Sequence, residues 1–207
     1  FSGGGTRAAA FSYGVLEALR DTEIVWKGQK ERLLDEVDII SSVSGGSFTS
    51  AYYALHGDGL FDGSFEREFL GKDIEHDLFT KALWPTSWFK LVGASFGRSD
   101  LAAEYYNASI FHGATYADLI RKKSRPFVIL NATDMSAGEQ FSFIQDQFDL
   151  ICSDLSKLPI ARAVASSSAF PGLLTPLTYR NFAGTWGYQE PQWVGLANRD
   201  HRTAPER

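Results

Sequence analysis

The chain has 207 residues, enough for one domain or one and a half with a sizeable core, and its 44 % hydrophobic and 22 % charged shares are those of a globular protein. A net charge of −5 and the lack of a dense Lys/Arg stripe argue against a nucleic-acid binder, and "RKKSR" at 121–125 reads as a solvated helix end. A single cysteine, Cys152, excludes an intrachain disulfide, and His56, His76, His112 and His201 lack the spacing of zinc ligands.

In chain order, residues 1–2 read as the end of a strand, and Gly3, Gly4 and Gly5 as a turn. A helix is expected over 6–20, with Ala10, Val15, Leu16 and Leu19 on a partly apolar face. Residues 36–43 read as a short buried strand and 46–57 as a helix ending at Gly57. Residues 58–125 are less regular and read as a helical insertion of short helices and loops. A buried strand follows over 126–134, and 139–145 alternates like its partner in a pair. A helix is expected near 158–168, stopping before Pro171, and the tail from residue 188 is polar and weakly patterned. Successive strand–turn–helix units predict an α/β domain with a mostly parallel sheet. No stretch reaches the roughly 18–20 apolar residues of a membrane span.

Two loops carry chemistry. In "FSGGGTRAA" three glycines lie between a strand end and a helix start, so several backbone N–H groups converge where the helix dipole adds positive charge. Such a nest suits a phosphate or the oxyanion of a tetrahedral acyl intermediate. The bland reading is a turn that lets helix and strand pack closely. The second loop, Ser42-Val43-Ser44-Gly45-Gly46, follows a strand and opens a helix. It matches the nucleophile elbow G-x-S-x-G, with Ser42 in the first glycine position. Ser41, Ser42 and Ser47 are nearby rivals, but only Ser44 has glycine two residues on and a strand in register before it.

A serine hydroxyl needs a base. His56 lies about 18 Å from Ser44 along a continuous helix, too far to serve. A triad of Ser44, Asp134 and His201 has the order Ser…Asp…His, but His201 sits in the unpatterned tail.

The stretches "FSGGGTRAAAFSYGVLEAL" and "SVSGGS", with "NATD" and "ARAVASSSAFPGLLTPL" further on, resemble the patatin-like phospholipase family of bacterial type. The resemblance implies a three-layer α/β/α fold with a mostly parallel central sheet. It implies a serine esterase working by a Ser–Asp dyad, with Ser44 as nucleophile. Gly3, Gly4 and Gly5 would supply the oxyanion hole, flanked by Arg7, and Ser42, Gly45 and Gly46 would complete the elbow. It implies lipid or phospholipid substrates, possible peripheral contact with a membrane, no metal or organic cofactor, and a membrane-associated or secreted setting. The family's aspartate sits in a later Asp-Gly-Gly or Asp-Gly-Ala motif that this sequence lacks. Asp58-Gly59 and Asp62-Gly63 come too early, and Ala8 replaces a glycine often found after the Arg/Lys. The aspartate is therefore not carried over to Asp134, Asp154 or Asp200. The reading expects a single domain over 1–207 lacking its first strand and its Asp-Gly motif, with little activity on its own.

Two other functions fit parts of the pattern. Gly3 to Ala8 satisfies the nucleotide-binding spacing G-x-G-x-x-G/A, although a dinucleotide fold wants an acidic residue at the end of the second strand, where serines stand here. A catalytically dead domain of the same fold is the third reading. Residues 78–96 hold Trp84, Trp88 and several Phe and Leu beside Lys81 and Lys90; they suit either core helices or a lipid-facing surface.

Overall fold

The computed structural model describes residues 1–72, 97–122, 125–170, 174–184, 188, 189, 191, 192 and 194. Helix α1 spans Gly5–Asp21 and buries Ala9, Ser12 and Leu16. Those positions differ from the expected face by one residue, since Ala10 is exposed. The register is set by α2, whose Thr49 Oγ donates to the Ala9 carbonyl at 2.8 Å.

After α1 comes an antiparallel hairpin, β1 (Glu23–Trp26) and β2 (Gln29–Arg32). Its two turn residues, Lys27 and Gly28, have φ of 48° and 81°, as a type I′ turn requires. This hairpin is not legible in the sequence, because the turn is Lys-Gly rather than Asn-Gly and its strands carry no alternating apolar face. A short 3₁₀ turn, Leu33–Glu36, buries Leu34 and leads to β3.

Strand β3 (Ile39–Val43) alternates as a half-buried strand should, with Ile40 and Ser42 inward and Ile39, Ser41 and Val43 outward. Helix α2 (Gly45–His56) starts two residues later and is buried over nearly its whole length. It ends at Gly57, whose φ of 57° closes the helix as expected. Between residues 57 and 122 lie a 3₁₀ turn (Gly57–Phe61), a π turn (Glu66–Leu70), helix α3 (Arg98–Tyr106) with a following π turn (Asn107–Phe111), and helix α4 (Tyr116–Lys122).

Strand β4 (Phe127–Asp134) runs parallel to β3 in the register Ile39↔Phe127 to Val43↔Asn131. Strand β5 (Glu139–Ser142) returns antiparallel to β4, as the alternation predicts. Residues 145–150 then form a short helix, α5 (Gln145–Leu150), so the strand ends three residues before the expected limit of 145. Helix α6 (Ile160–Ser167) buries six of its eight residues. The described sheet has the order β3-β4-β5, mixing one parallel and one antiparallel ladder. Phe1 extends it on the free side of β3. Its nitrogen donates to Ser41 O at 2.6 Å and its carbonyl accepts from Val43 N–H at 3.1 Å, the pattern of a parallel neighbour and the behaviour expected of a strand end.

Helix α2 lies on β3 and β4, α6 on β4 and α2, and α1 beside α2. The aromatic side chains among the described residues go largely into this core. Phe48 stacks on Phe69 at 4.3 Å and meets Tyr106 edge-on at 4.9 Å, while Tyr52 packs on Phe65. Phe143, Phe148 and Tyr179 make a second cluster under β5. The proposed lipid-facing run at 78–96 lies outside the described residues. No helix among the described residues is long and apolar enough to cross a membrane.

Candidate active site

The chain passes from β3 to α2 through one residue, Ser44, with φ 55° and ψ −122°. A side chain other than glycine adopts this backbone at a cost of order 1–3 kcal/mol, and such residues concentrate at functional sites. The turn ends a strand, begins a helix and lifts the Ser44 side chain out at the sheet's C-terminal edge. Its backbone is pinned from outside the elbow: Ser44 N–H donates to Ser167 Oγ at 2.8 Å.

The two glycine loops meet here. A Cβ on Gly45 would lie 2.0 Å from the Gly5 carbonyl oxygen, so the start of α2 abuts the start of α1 closely enough that only glycine fits. Gly46 N–H donates to Ser2 O at 3.2 Å, and a Cβ on Gly3 would come 3.2 Å from Ser44 Cβ and 3.7 Å from Ser44 Oγ. The glycine turn therefore lies directly over the Ser44 side chain. Gly4 and Gly5, with φ of 137° and 62°, bend the chain into α1. Two helix N-termini thus converge on Ser44, each with first-turn N–H groups that have no intrahelical acceptor. Arg7 is exposed on the first turn of α1.

Beneath the elbow is a layer of buried hydroxyls. Ser42, 1 % exposed, points inward because β3 alternates. Its Oγ lies 2.6 Å from Ser50 Oγ of α2. The position where the elbow pattern has glycine thus holds a serine whose side chain has a partner under the helix.

Two further residues support the site; both lie in stretches that carry the family resemblance, "NATD" and "ARAVASSSAFPGLLTPL", but the sequence reading singles out neither as a site residue. Ser167 Oγ accepts from Ser44 N–H, lies 2.9 Å from Ser47 Oγ, and donates to the Asn131 carbonyl at 2.6 Å. Asn131 Nδ2 donates to Ser42 O at 2.9 Å and to Ser41 Oγ at 3.0 Å, while its Oδ1 accepts from Gln140 Nε2 and Ser142 Oγ at 2.7 and 2.8 Å. Asn131 thereby fastens the end of β3 to β4 and β5. A signal for Ser167 does exist: Ile160, Ala163, Val164 and Ser167 fall on one face at helical spacing.

The candidate bases lie elsewhere. Asp134 Oδ1 accepts from Ser136 N–H at 2.7 Å and closes the β4–β5 turn. Asp154 caps a 3₁₀ turn through Ser156, whose hydrogen bonds hold its carboxyl below the usual range. His56 sits at the far end of α2 on the Tyr52 ring at 4.3 Å, where partial burial and then Lys122 lower its pKa. Its place at the opposite end of α2 from Ser44 is what keeps it from serving as the base. Asp200 and His201 lie outside the described residues. Among the described residues no Asp, Glu or His side chain hydrogen-bonds to Ser44 Oγ. None of them form a cluster of three or more metal-ligating side chains. The tyrosines that flank α6, Tyr106 and Tyr179, are pushed up to about 12 by burial and act as neutral hydrogen-bonding groups.

No curated protein and no solved structure matches the chain. The family model for patatin-like phospholipases matches residues 1–188, a span that takes in the glycine turn, the elbow, Asn131 and Ser167. With that much of its length accounted for, and with helices packed on a sheet that pairs β3 and β4 in parallel, the chain belongs to the patatin-like phospholipase family of α/β lipid acyl hydrolases.

Proposed function

We propose that the protein cleaves lipid acyl esters by nucleophilic attack of Ser44. The observation that carries this reading is the backbone of Ser44, a non-glycine residue at φ 55° and ψ −122° between a strand and a helix. Ser44 Oγ attacks the ester carbonyl carbon, and the carbonyl π electrons move to oxygen. N–H groups of the Gly3-Gly4-Gly5 turn and of Gly45 stabilise that oxyanion, and Arg7 adds positive charge at the rim. As Oγ attacks, its proton passes to the base; collapse expels the alcohol, which takes that proton, and leaves an acyl-Ser44 ester. Water then attacks the acyl carbon and gives its proton to the base, and collapse releases the carboxylic acid while Ser44 Oγ takes the proton back. Each step uses only protein groups and water.

The proton acceptor is assigned to the aspartate that the family carries in an Asp-Gly-Gly or Asp-Gly-Ala motif. Residues 1–207 contain neither. Residues 1–207 alone are therefore expected to turn over p-nitrophenyl butyrate or a phospholipid at close to the background rate. Ser44-dependent turnover by these residues alone would refute the aspartate requirement. The reading of Ser44 itself is tested separately, by reaction with a fluorophosphonate at pH 9, where hydroxide can replace the protein base. One adduct on Ser44, lost in Ser44→Ala, is expected. Thermal stabilisation by NAD or ATP in place of that adduct would favour nucleotide binding instead.

A further inference from the structure

We propose that Ser167 is a positioning residue that sets the attack geometry of Ser44 by holding its main-chain amide; this rests on the assignment of Ser44 as nucleophile. A serine hydroxyl has one proton and two lone pairs. The Ser167 proton goes to the Asn131 carbonyl at 2.6 Å, leaving both lone pairs to accept. Ser44 N–H occupies one at 2.8 Å, and the Ser47 hydroxyl, which lies closer to Ser167 (2.9 Å) than to Ser42 Oγ (3.4 Å), occupies the other. With all three hydrogen bonds made, Ser167 has neither a proton nor a lone pair left for substrate. Its role is therefore positional.

Its neighbours do not share that role. Ser166 Oγ donates to the Arg162 carbonyl and meets Tyr179, and Ser168 Oγ donates to the Val164 carbonyl. Of the three consecutive serines only Ser167 turns toward the elbow. The helix that carries it is itself fixed, since Arg162 Nη1 donates to Asp100 Oδ1 of α3 at 2.7 Å and Nη2 to the Thr178 carbonyl at 3.0 Å. Ser167 is 9 % exposed, so water cannot readily take over its place. Without it, a residue strained at positive φ loses the acceptor for its own N–H. The elbow is then free to relax, and Ser44 Oγ moves relative to the glycine turn.

The test compares wild type with Ser167→Ala, Ser167→Thr and the control Ser168→Ala. The readouts are the rate of fluorophosphonate reaction at Ser44, located by peptide mass spectrometry at pH 9, and the thermal midpoint. Displacement of a reacting group by about 1 Å costs on the order of 100-fold, so Ser167→Ala is expected to react about 10- to 100-fold more slowly. Ser167→Thr, which keeps the acceptor oxygen, and Ser168→Ala are expected to react close to the wild-type rate. Where ester turnover is measured, the loss falls on kcat and not on KM. Should Ser167→Ala fail to fold, Ser167→Cys keeps the volume and replaces a good acceptor with a poor one, and the same slowing is expected. A folded Ala or Cys variant that reacts as fast as wild type, whatever its thermal midpoint, overturns the proposal. A wild type that forms no adduct at Ser44 refutes the functional reading itself, so the two failures are distinguishable.

Discussion

Replacing Gly45 with alanine is the sharpest perturbation of the elbow. The new Cβ would lie 2.0 Å from the Gly5 carbonyl oxygen, 2.9 Å from its carbonyl carbon and 3.1 Å from its nitrogen. All three atoms are main chain at the start of α1, so no side chain can swing aside. Relief requires the glycine turn and the elbow to separate by about 1 Å, more than ordinary rotamer adjustment supplies. Forcing extra volume into a packed site costs roughly 1–3 kcal/mol, which for a chain of this length lowers the thermal midpoint by about 2–12 °C. The same 1 Å opens the gap between Ser44 Oγ and the donors of the Gly3-Gly4-Gly5 turn, and is expected to slow acylation by about 100-fold. The assay is fluorophosphonate labelling of Ser44 alongside a thermal melt. A Gly45→Ala protein that labels as fast as wild type would show that the glycine turn does not abut the elbow, and the oxyanion assignment would fall with it.

Further outcomes follow from other positions. Ser44→Gly removes the strain of φ 55° and is expected to exceed Ser44→Ala in stability by about 1 kcal/mol, although both abolish labelling; equal melting of the two would remove the claim of a strained elbow. Gly14 lies exposed inside α1, and a Cβ added there would meet no atom within 4 Å. Gly14→Ala is therefore expected to stabilise by roughly 0.5–1 kcal/mol, and a lower midpoint would contradict the helix over Gly5–Asp21. The Trp84→Ala/Trp88→Ala double variant tests the interfacial reading of residues 78–96 by liposome sedimentation; unchanged binding would remove it.

The elements that position the site are legible because their patterns are local. "EVDIISSV" and "PFVILNATD" carry the apolar residues of strands, although both strands prove half-buried, with Ile39 and Phe127 exposed, and Gly57 marks the end of α2. The strand-to-helix turn at Ser44 is legible for the same reason, as small residues around Ser44 directly precede a helix. The partners of the elbow are not. Ser167 is 123 residues from Ser44, and Asn131 is 89 residues from the Ser42 carbonyl it binds. A serine on a helix and an asparagine on a strand carry no local mark of such bonds, which arise only when β3, β4 and α6 pack together. The shift from Ala10 to Ala9 on α1 has a similar origin, because two alanines are nearly equal in local propensity and the choice is made by α2. The strand read over 139–145 overruns β5 by three residues because "FSFIQ" continues the alternation that β5 begins, while the chain turns after Ser142 to pack Phe148 against Phe143.

The central claim is that Ser44 is made reactive by the strand-to-helix turn and the glycine loop above it. It is tested most directly by exposing the protein to a fluorophosphonate at pH 9 and locating the adduct by peptide mass spectrometry. A single adduct on Ser44, absent in Ser44→Ala and slowed in Gly45→Ala, is the predicted result. No adduct on the folded protein, or adducts spread evenly over Ser41, Ser44 and Ser47, would contradict it.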